Sequence, residues 1–442
     1  MNLDYYKTFY YVALSKNFTK AAELLGNNQP NVTRSMNNLE AELYRISRTT
    51  VQNAYFQLAA EGYIYAKPQS GYFVAGGPKA PAAPMPRPQV QTPPRLDLTG
   101  NSADLSSFDF SLWQRYIKSA LRQRQRLLTY SEPQGEYDLR CALADYVRER
   151  RNVVTAPEHI VVGAGVQMLL EILCVLLKGR RTVSFPDGSF VQGSTVFAAH
   201  GYTVRTRYKD ADIIYVSPSH MNRQGDVMPI QRRLELCAHS AETGAVVIED
   251  DFENDFLYSS TPTPSLYALG SGNVVYMGAF SALLLPGIRI SFMVLSPALA
   301  AAYHQMKDTF AQTASKTEQI ALCAYLRDGN MKSRTKKIRR LYTGKAKTLC
   351  ALLAKALPDH PVRVGENGLQ VQIETPMLPD SAPFEQAGLA LYIVKEKSGK
   401  NTVVVSPSAV PADRLEEAAL AVAAALYKAE EAAKAKRSKD VY

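Results

Sequence analysis

Ile160, Val161 and Val162 run into Gly163-Ala164-Gly165-Val166, a glycine-rich turn between an apolar strand signal and a helix signal. Backbone N–H groups at such a helix start can seat a phosphate or another anion, although glycines at this kind of turn also serve packing. A second group follows at Ala245-Val246-Val247-Ile248, which leads into Glu249-Asp250-Asp251. A carboxylate at the carboxyl end of a strand faces the ligand crevice of an α/β sheet. Two further runs, Tyr276-Met277-Gly278-Ala279-Phe280-Ser281-Ala282 and Pro286-Gly287-Ile288-Arg289, come next. The six histidines show no metal-ligand spacing, and the five cysteines are scattered without a CxxC pair, so neither a metal centre nor a disulfide framework is expected.

Near the amino terminus the chemistry is of another kind. Asn31, Thr33 and Arg34 front a helix whose Val32, Met36 and Leu39 pack inward, and Pro30 sits just inside its start. A helix over 3–15, with apolar residues at Leu3, Tyr6, Phe9, Tyr10 and Ala13 turned to the core, precedes it. Thr19 is expected to cap a short helix over 20–25 that stops at Gly26. Short helix, glycine turn and polar-fronted helix make a helix-turn-helix pattern, the arrangement that places a second helix in a DNA major groove.

The chain must position these groups within 442 residues, of which 46% are apolar and 21% charged, enough for several ordinary cores. Lysine and arginine number 51 against 41 acidic residues, a net +10 that permits a polyanionic partner without demanding one. Unpaired cysteines suit a reducing compartment, no basic-then-apolar leader opens the chain, and the uncharged stretch 258–288 is broken by prolines and glycines. A cytoplasmic protein without a membrane span is expected. Seven of the seventeen residues at 78–94 are proline, the mark of a semi-rigid spacer. Behind it, strand signals at 160–162, 182–185, 213–216, 245–249, 274–277 and 290–295 alternate with helix signals such as 166–177 and 232–238. That order predicts an α/β layer with a mostly parallel sheet. The expected division is a DNA-binding head at 1–76, a linker at 77–97, a large domain at 98–325, a small α+β domain at 326–428 and a basic tail at 429–442.

Phe18-Thr19, Ala21-Ala22 and Leu25, followed by Gln29-Pro30, Val32-Thr33-Arg34 and Leu39-Glu40, resemble the LysR-type helix-turn-helix over about the first 43 residues. The next segment resembles something else. Ser47-Arg48-Thr49-Thr50-Val51, Ala54-Tyr55, Ala60-Glu61-Gly62-Tyr63-Ile64 and Gly71-Tyr72-Phe73-Val74 look like the recognition helix and wing of a GntR-type winged helix. Ser47 would be its N-cap, Gly62 its helix stop, and Gln69-Ser70-Gly71 the turn of the wing. Residues 1–75 therefore read as a hybrid in which the helix over 3–15 stands in for a missing first GntR helix. One reading puts Arg48, Thr49, Thr50, Gln52 and Asn53 at the groove with Lys67 and Gln69 on the wing; the other gives the lead to Gln29, Thr33 and Arg34.

Residues 98–426 resemble the fold-type I aminotransferase body of the MocR subfamily, in which a GntR winged helix is joined to a pyridoxal phosphate-dependent transferase-like domain. The resemblance implies that Asp250 faces the pyridine nitrogen of pyridoxal phosphate, that Gly163, Ala164, Gly165, Val166 and Arg289 hold its phosphate, and that Ser281 lies in the same site. It also implies a head-to-tail homodimer. The departures are concentrated at the chemistry. Ala282 stands at the Schiff-base lysine, Ala279 at a phosphate-facing hydroxyl, Phe252 at a ring-oxygen phenol, Val404 at the carboxylate-gripping arginine, and Arg223-Gln224 precede Gly225 where proline and a hydroxyl residue are usual. Transamination needs a covalent electron sink and a base, and no catalytic residue remains to supply them. The expectation is a regulator that binds double-stranded DNA as a homodimer, with pyridoxal phosphate or another small anion held at most non-covalently. The alternatives are an aminotransferase in which Ala282 is an engineered replacement of lysine, and a fusion whose head does not fold. If the site has lost its ligand altogether, Asp250 would be bonded to backbone and Arg289 paired with a carboxylate.

Overall fold

A computed structural model describes residues 3–44, 48–75, 93–251, 264–270, 272–395 and 401–439, and the chain divides into two compact units, Met1–Thr92 and Pro93–Tyr442. Ser47 and Phe252, and nearly all of the proline-rich spacer, lie outside the described residues.

In the first unit α1 (Leu3–Ser15), α2 (Phe18–Leu24) and α3 (Gln29–Tyr44) pack on one another. Their core is small: Ala21, Ala22 and Val32 are buried, with Tyr11, Val12 and Leu25 against them. The inward stripe expected on α1 is instead exposed at Tyr6, Phe9, Tyr10 and Ala13, and the neighbouring stripe through Thr8 and Val12 faces inward. The cap of α2 also differs from expectation. Asn17 Oδ1 accepts from the N–H of Thr19 at 2.9 Å and of Lys20 at 3.2 Å, so Thr19 is inside the helix and Asn17 caps it.

After α4 (Arg48–Ala60), Gly62 takes φ 80°, and the Tyr63 N–H bonds the Leu58 carbonyl at 2.9 Å, which ends the helix. β1 (Ile64–Lys67) and β2 (Gly71–Val74) then pair antiparallel, Ile64 against Val74 and Lys67 against Gly71. The loop is thus Pro68-Gln69-Ser70, one residue earlier than expected, with Gln69 at φ 60° and Gly71 already paired. No described side chain from α4 to β2 is buried.

The second unit opens with β3 (Leu96–Asp97), α5 (Phe110–Arg122), α6 (Arg124–Leu127) and α7 (Tyr137–Arg151). There follow β4 (Ile160–Gly163), α8 (Val166–Leu176), β5 (Thr182–Phe185), α9 (Val191–Ala199), β6 (Thr203–Thr206), β7 (Ile213–Val216), α10 (Ile230–Thr243), β8 (Val246–Asp250), α11 (Leu266–Leu269), β9 (Val274–Ala279) and β10 (Ser291–Val294). These strands form one seven-stranded sheet in the order β4-β10-β9-β8-β7-β5-β6. It is parallel except for β10, which runs against both neighbours. Helices cover both faces, as the buried runs of Val and Ile require.

The remainder is α12 (Pro297–Met306), α13 (Lys316–Arg327), α14 (Asn330–Ala356), β11 (Val362–Val364), β12 (Val371–Thr375), α15 (Ala382–Gln386), β13 (Leu389–Ala390), β14 (Tyr392–Lys395), β15 (Asn401–Val405) and α16 (Leu415–Lys439). Here a four-stranded antiparallel sheet, β11-β12-β15-β14, packs with α14 and α16 around a separate core. Ala429 and Glu430, at the start of the expected tail, are buried in α16, and Glu430 pairs with His360 at 3.0 Å.

Candidate functional site

A cavity of about 440 Å³ opens where the carboxyl ends of the parallel strands meet β14 and β15. Phe185 and Asp187 reach it from the end of β5, Tyr215 and Ser217 from β7, Asp250 from β8 and Ala279 from β9. This is the crevice in which open α/β sheets hold ligands, and its size suits a small cofactor or metabolite.

The glycine turn forms one wall. Gly165 precedes α8 with φ 101° and ψ 163°, a conformation open only to glycine, and a Cβ there would overlap the Arg289 guanidinium. Arg289 lines the cavity, and its side chain has neither a hydrogen bond nor an ion pair with any described residue, the carboxylates among them included. The start of the 11-residue α8 has no side-chain cap among the described residues, and the Arg289 guanidinium lies beside it, an arrangement of donors and positive charge that can seat an anion. Of the residues expected there, Gly165, Val166, Asp250, Ser281 and Arg289 line the cavity. Gly163 and Ala164 do not. Gly163 is buried under Leu169, and the Ala164 N–H donates to Thr313 Oγ1 at 2.9 Å.

The acidic run at the end of β8 divides by the two-residue period of a strand. Asp250 points into the cavity, and its Oδ2 accepts the Tyr215 hydroxyl rather than resting on backbone alone. The Tyr215 ring is held between Phe185 and Phe190, with centroids 5.0 and 5.3 Å away. Burial, then the Asp250 charge, hold the Tyr215 hydroxyl far above its usual pKa, so it stays a neutral donor. Glu249 and Asp251 serve the fold instead. Asp251 pairs with Arg151 at 2.7 Å and accepts from Tyr276 at 2.6 Å, while Glu249 accepts the N–H groups of Leu266 and Tyr267, both at 2.9 Å. Burial, with Asp251 close by, pushes Glu249 up to about 7.

Ala282 lines a smaller adjoining cavity of about 230 Å³ that shares Ser281 and Arg289 with the first. Its methyl packs against the core, and no amine stands there. Val404 is buried in the wall of the larger cavity. Two residues that the sequence did not mark as ligand-facing, Arg223 and Tyr392, also line it. The Arg223-Gln224 departure was visible, but its direction was not, because the ring it meets lies far along the chain.

In the first unit Arg34 is exposed on α3, whereas Gln29 and Thr33 are half-buried and Thr33 donates to the Gln29 carbonyl at 3.0 Å. Thr49, Thr50 and Gln52 are exposed on α4; the Arg48 side chain lies outside the described residues. The Lys67 ammonium stands 5.8 Å from the Tyr65 ring centre and 5.0 Å from that of Phe73. Among the described residues there is no cluster able to hold a metal ion, and no helix is long and apolar enough to cross a membrane.

Residues 97–396 match the model for aminotransferase class I and II, and residues 3–45 match that for bacterial regulatory helix-turn-helix proteins of the lysR family. The chain is 31% identical over 392 residues to the HTH-type transcriptional regulator YdeL of Bacillus subtilis, covering 84% of this chain and 82% of that one. It is 28% identical over 369 residues to the probable rhizopine catabolism regulatory protein MocR of Rhizobium meliloti, covering 75% of each. Among solved structures, the α-aminoadipate aminotransferase LysN of Thermus thermophilus, complexed with N-(5′-phosphopyridoxyl)-L-leucine, superposes with a TM-score of 0.65 at 22% identity over 76% of this chain and 93% of that one. Such a likeness shows the fold alone: the second unit has the fold-type I aminotransferase architecture.

Proposed function

We infer function from one premise: the chain belongs to the MocR-type family of HTH-type transcriptional regulators, in which a helix-turn-helix precedes an aminotransferase class I and II body. It is a regulator whose head binds operator DNA and whose body holds a small anion reversibly. The observation that carries this reading is an anion seat, Gly165 with unpaired Arg289, beside Ala282 where an amine would be needed for covalent chemistry. The side chains present suit pyridoxal phosphate at its phosphate, through Arg289 and the α8 start, and at its ring nitrogen, through Asp250. When bound to an enzyme this cofactor supplies an electron sink for amino-group chemistry; here it would be held by contacts only.

For DNA, α3 is the better supported reader, because Val32 anchors it to a core and Leu39 is also buried, while no described side chain of α4 and its hairpin is buried and they act as a wing-like accessory. A homodimer would place two heads on spaced half-sites. Leu128 and Tyr130, large apolar side chains that project from the body almost fully into solvent, suit its interface. The test is the double substitution Arg34→Ala and Arg48→Ala, measured against genomic DNA fragments over a salt series. Binding should weaken roughly tenfold or more, with a shallower salt dependence. Unchanged affinity and slope would place the DNA surface elsewhere.

A further inference from the structure

A second positive group enters the cavity from an element that takes no part in the anion seat. Arg223 lies in the connection between β7 and α10. Its guanidinium carbon stands 3.9 Å from the centre of the Tyr392 ring, and its Nη2 donates to the Ser189 carbonyl at 3.2 Å. The ring is itself fixed, since the Tyr392 hydroxyl accepts from Asn101 Nδ2 at 3.0 Å.

Tyr392 on β14 is the register partner of Val404 on β15. Directly opposed residues of an antiparallel pair share a face of the sheet, with Cβ atoms about 4.5–5.5 Å apart. Arg223 therefore covers the ring next to the position at which the resemblance expects an arginine that grips a substrate carboxylate. The charge missing from the small sheet returns from the large one. Stacking occupies the face of a guanidinium and leaves N–H donors on its edge, the part that meets a carboxylate.

Arg223 has no carboxylate partner among the described residues. The acids in the cavity wall are engaged by other groups: Asp187 accepts the Ser189 N–H at 2.8 Å, and Asp250 accepts the Tyr215 hydroxyl. Ser217 Oγ and Gln370 Oε1, in the same wall, are buried without a hydrogen-bond partner among the described residues.

We propose that Arg223 grips the carboxylate of a ligand that carries both a phosphate and a carboxylate, the phosphate lying against Arg289. This rests on reading the cavity as a reversible anion site. Two probes that need no lysine separate the claims: pyridoxamine 5′-phosphate, which lacks the carboxylate, and N-(5′-phosphopyridoxyl)-L-leucine, which has it. Calorimetric titration of the intact protein should show the second binding roughly 10- to 100-fold tighter, the scale of one charge-assisted hydrogen-bond pair. In Arg223→Gln the preference should fall to near unity while pyridoxamine 5′-phosphate binds as before, which also shows that the variant is folded. Equal affinities in the parent protein, or a preference that survives Arg223→Gln, overturn the assignment of Arg223. Failure of both probes to bind the parent protein overturns the reading of the cavity itself.

Discussion

The turn between β4 and α8 and the connection between β9 and β10 face one cavity and offer it different things. The first retains its form, with Gly165 at φ 101° under the Arg289 guanidinium. The second presents Ala279, Ser281 and Ala282, with no amine for covalent chemistry. The contrast separates what backbone holds from what side chains hold. A residue other than glycine at 165 would strain the chain and displace an arginine, so the fold itself defends the seat. Alanine at 282 packs quietly against the core, and no backbone constraint of that kind dictates the residue there.

The contrast breaks most visibly at Arg289. Arg289→Ala should weaken pyridoxal phosphate binding roughly 10- to 100-fold by titration, as removal of a charge-assisted contact does. Full retention would make the seat an ornament of the fold. Gly165→Ala tests the backbone half. It should lower stability by about 1–3 kcal/mol in thermal or urea unfolding and weaken binding by a smaller factor than Arg289→Ala. A neutral result on both counts would mean the turn relaxes freely. The smallest expected effect is the sharpest. Ala282→Lys should leave amino-group transfer at background, because Val404 and Ala279 stay unchanged. Turnover in that variant would show that one side chain alone separates this body from an enzyme.

The α/β layer was legible because its central strands are runs of branched apolar residues, and 182–185 and 213–216 emerge with the expected bounds. The edge strand Thr203–Thr206 gave no such signal: Thr-Val-Arg-Thr is mostly exposed and has a partner on one side only. In the head, apolar periodicity on α1 picked the stripe through Tyr6, Phe9 and Tyr10, whereas Thr8, Tyr11 and Val12 lie on the inner side, the last two against Ala21 and Ala22. Five residues of the cavity wall, Gly165, Val166, Asp250, Ser281 and Arg289, could be named from strand ends and from family likeness. Arg223 could not, since its meaning depends on a ring 169 positions away, brought near only by the folding of two sheets. The hairpin after α4 was foreseen from its turn residues, but that no described side chain from α4 to β2 is buried follows from three-dimensional packing alone.

On the reading proposed above, the methyl group of Ala282 also sets a clock. A ligand tethered through a lysine leaves only when a bond is broken, whereas one held by Arg289 and its neighbours leaves at its dissociation rate. With association near 10⁶ per molar per second, a micromolar ligand departs in about one second. The occupancy of a cavity that binds in this way would track the free concentration outside it almost without memory, which is what distinguishes a gauge from a catalyst.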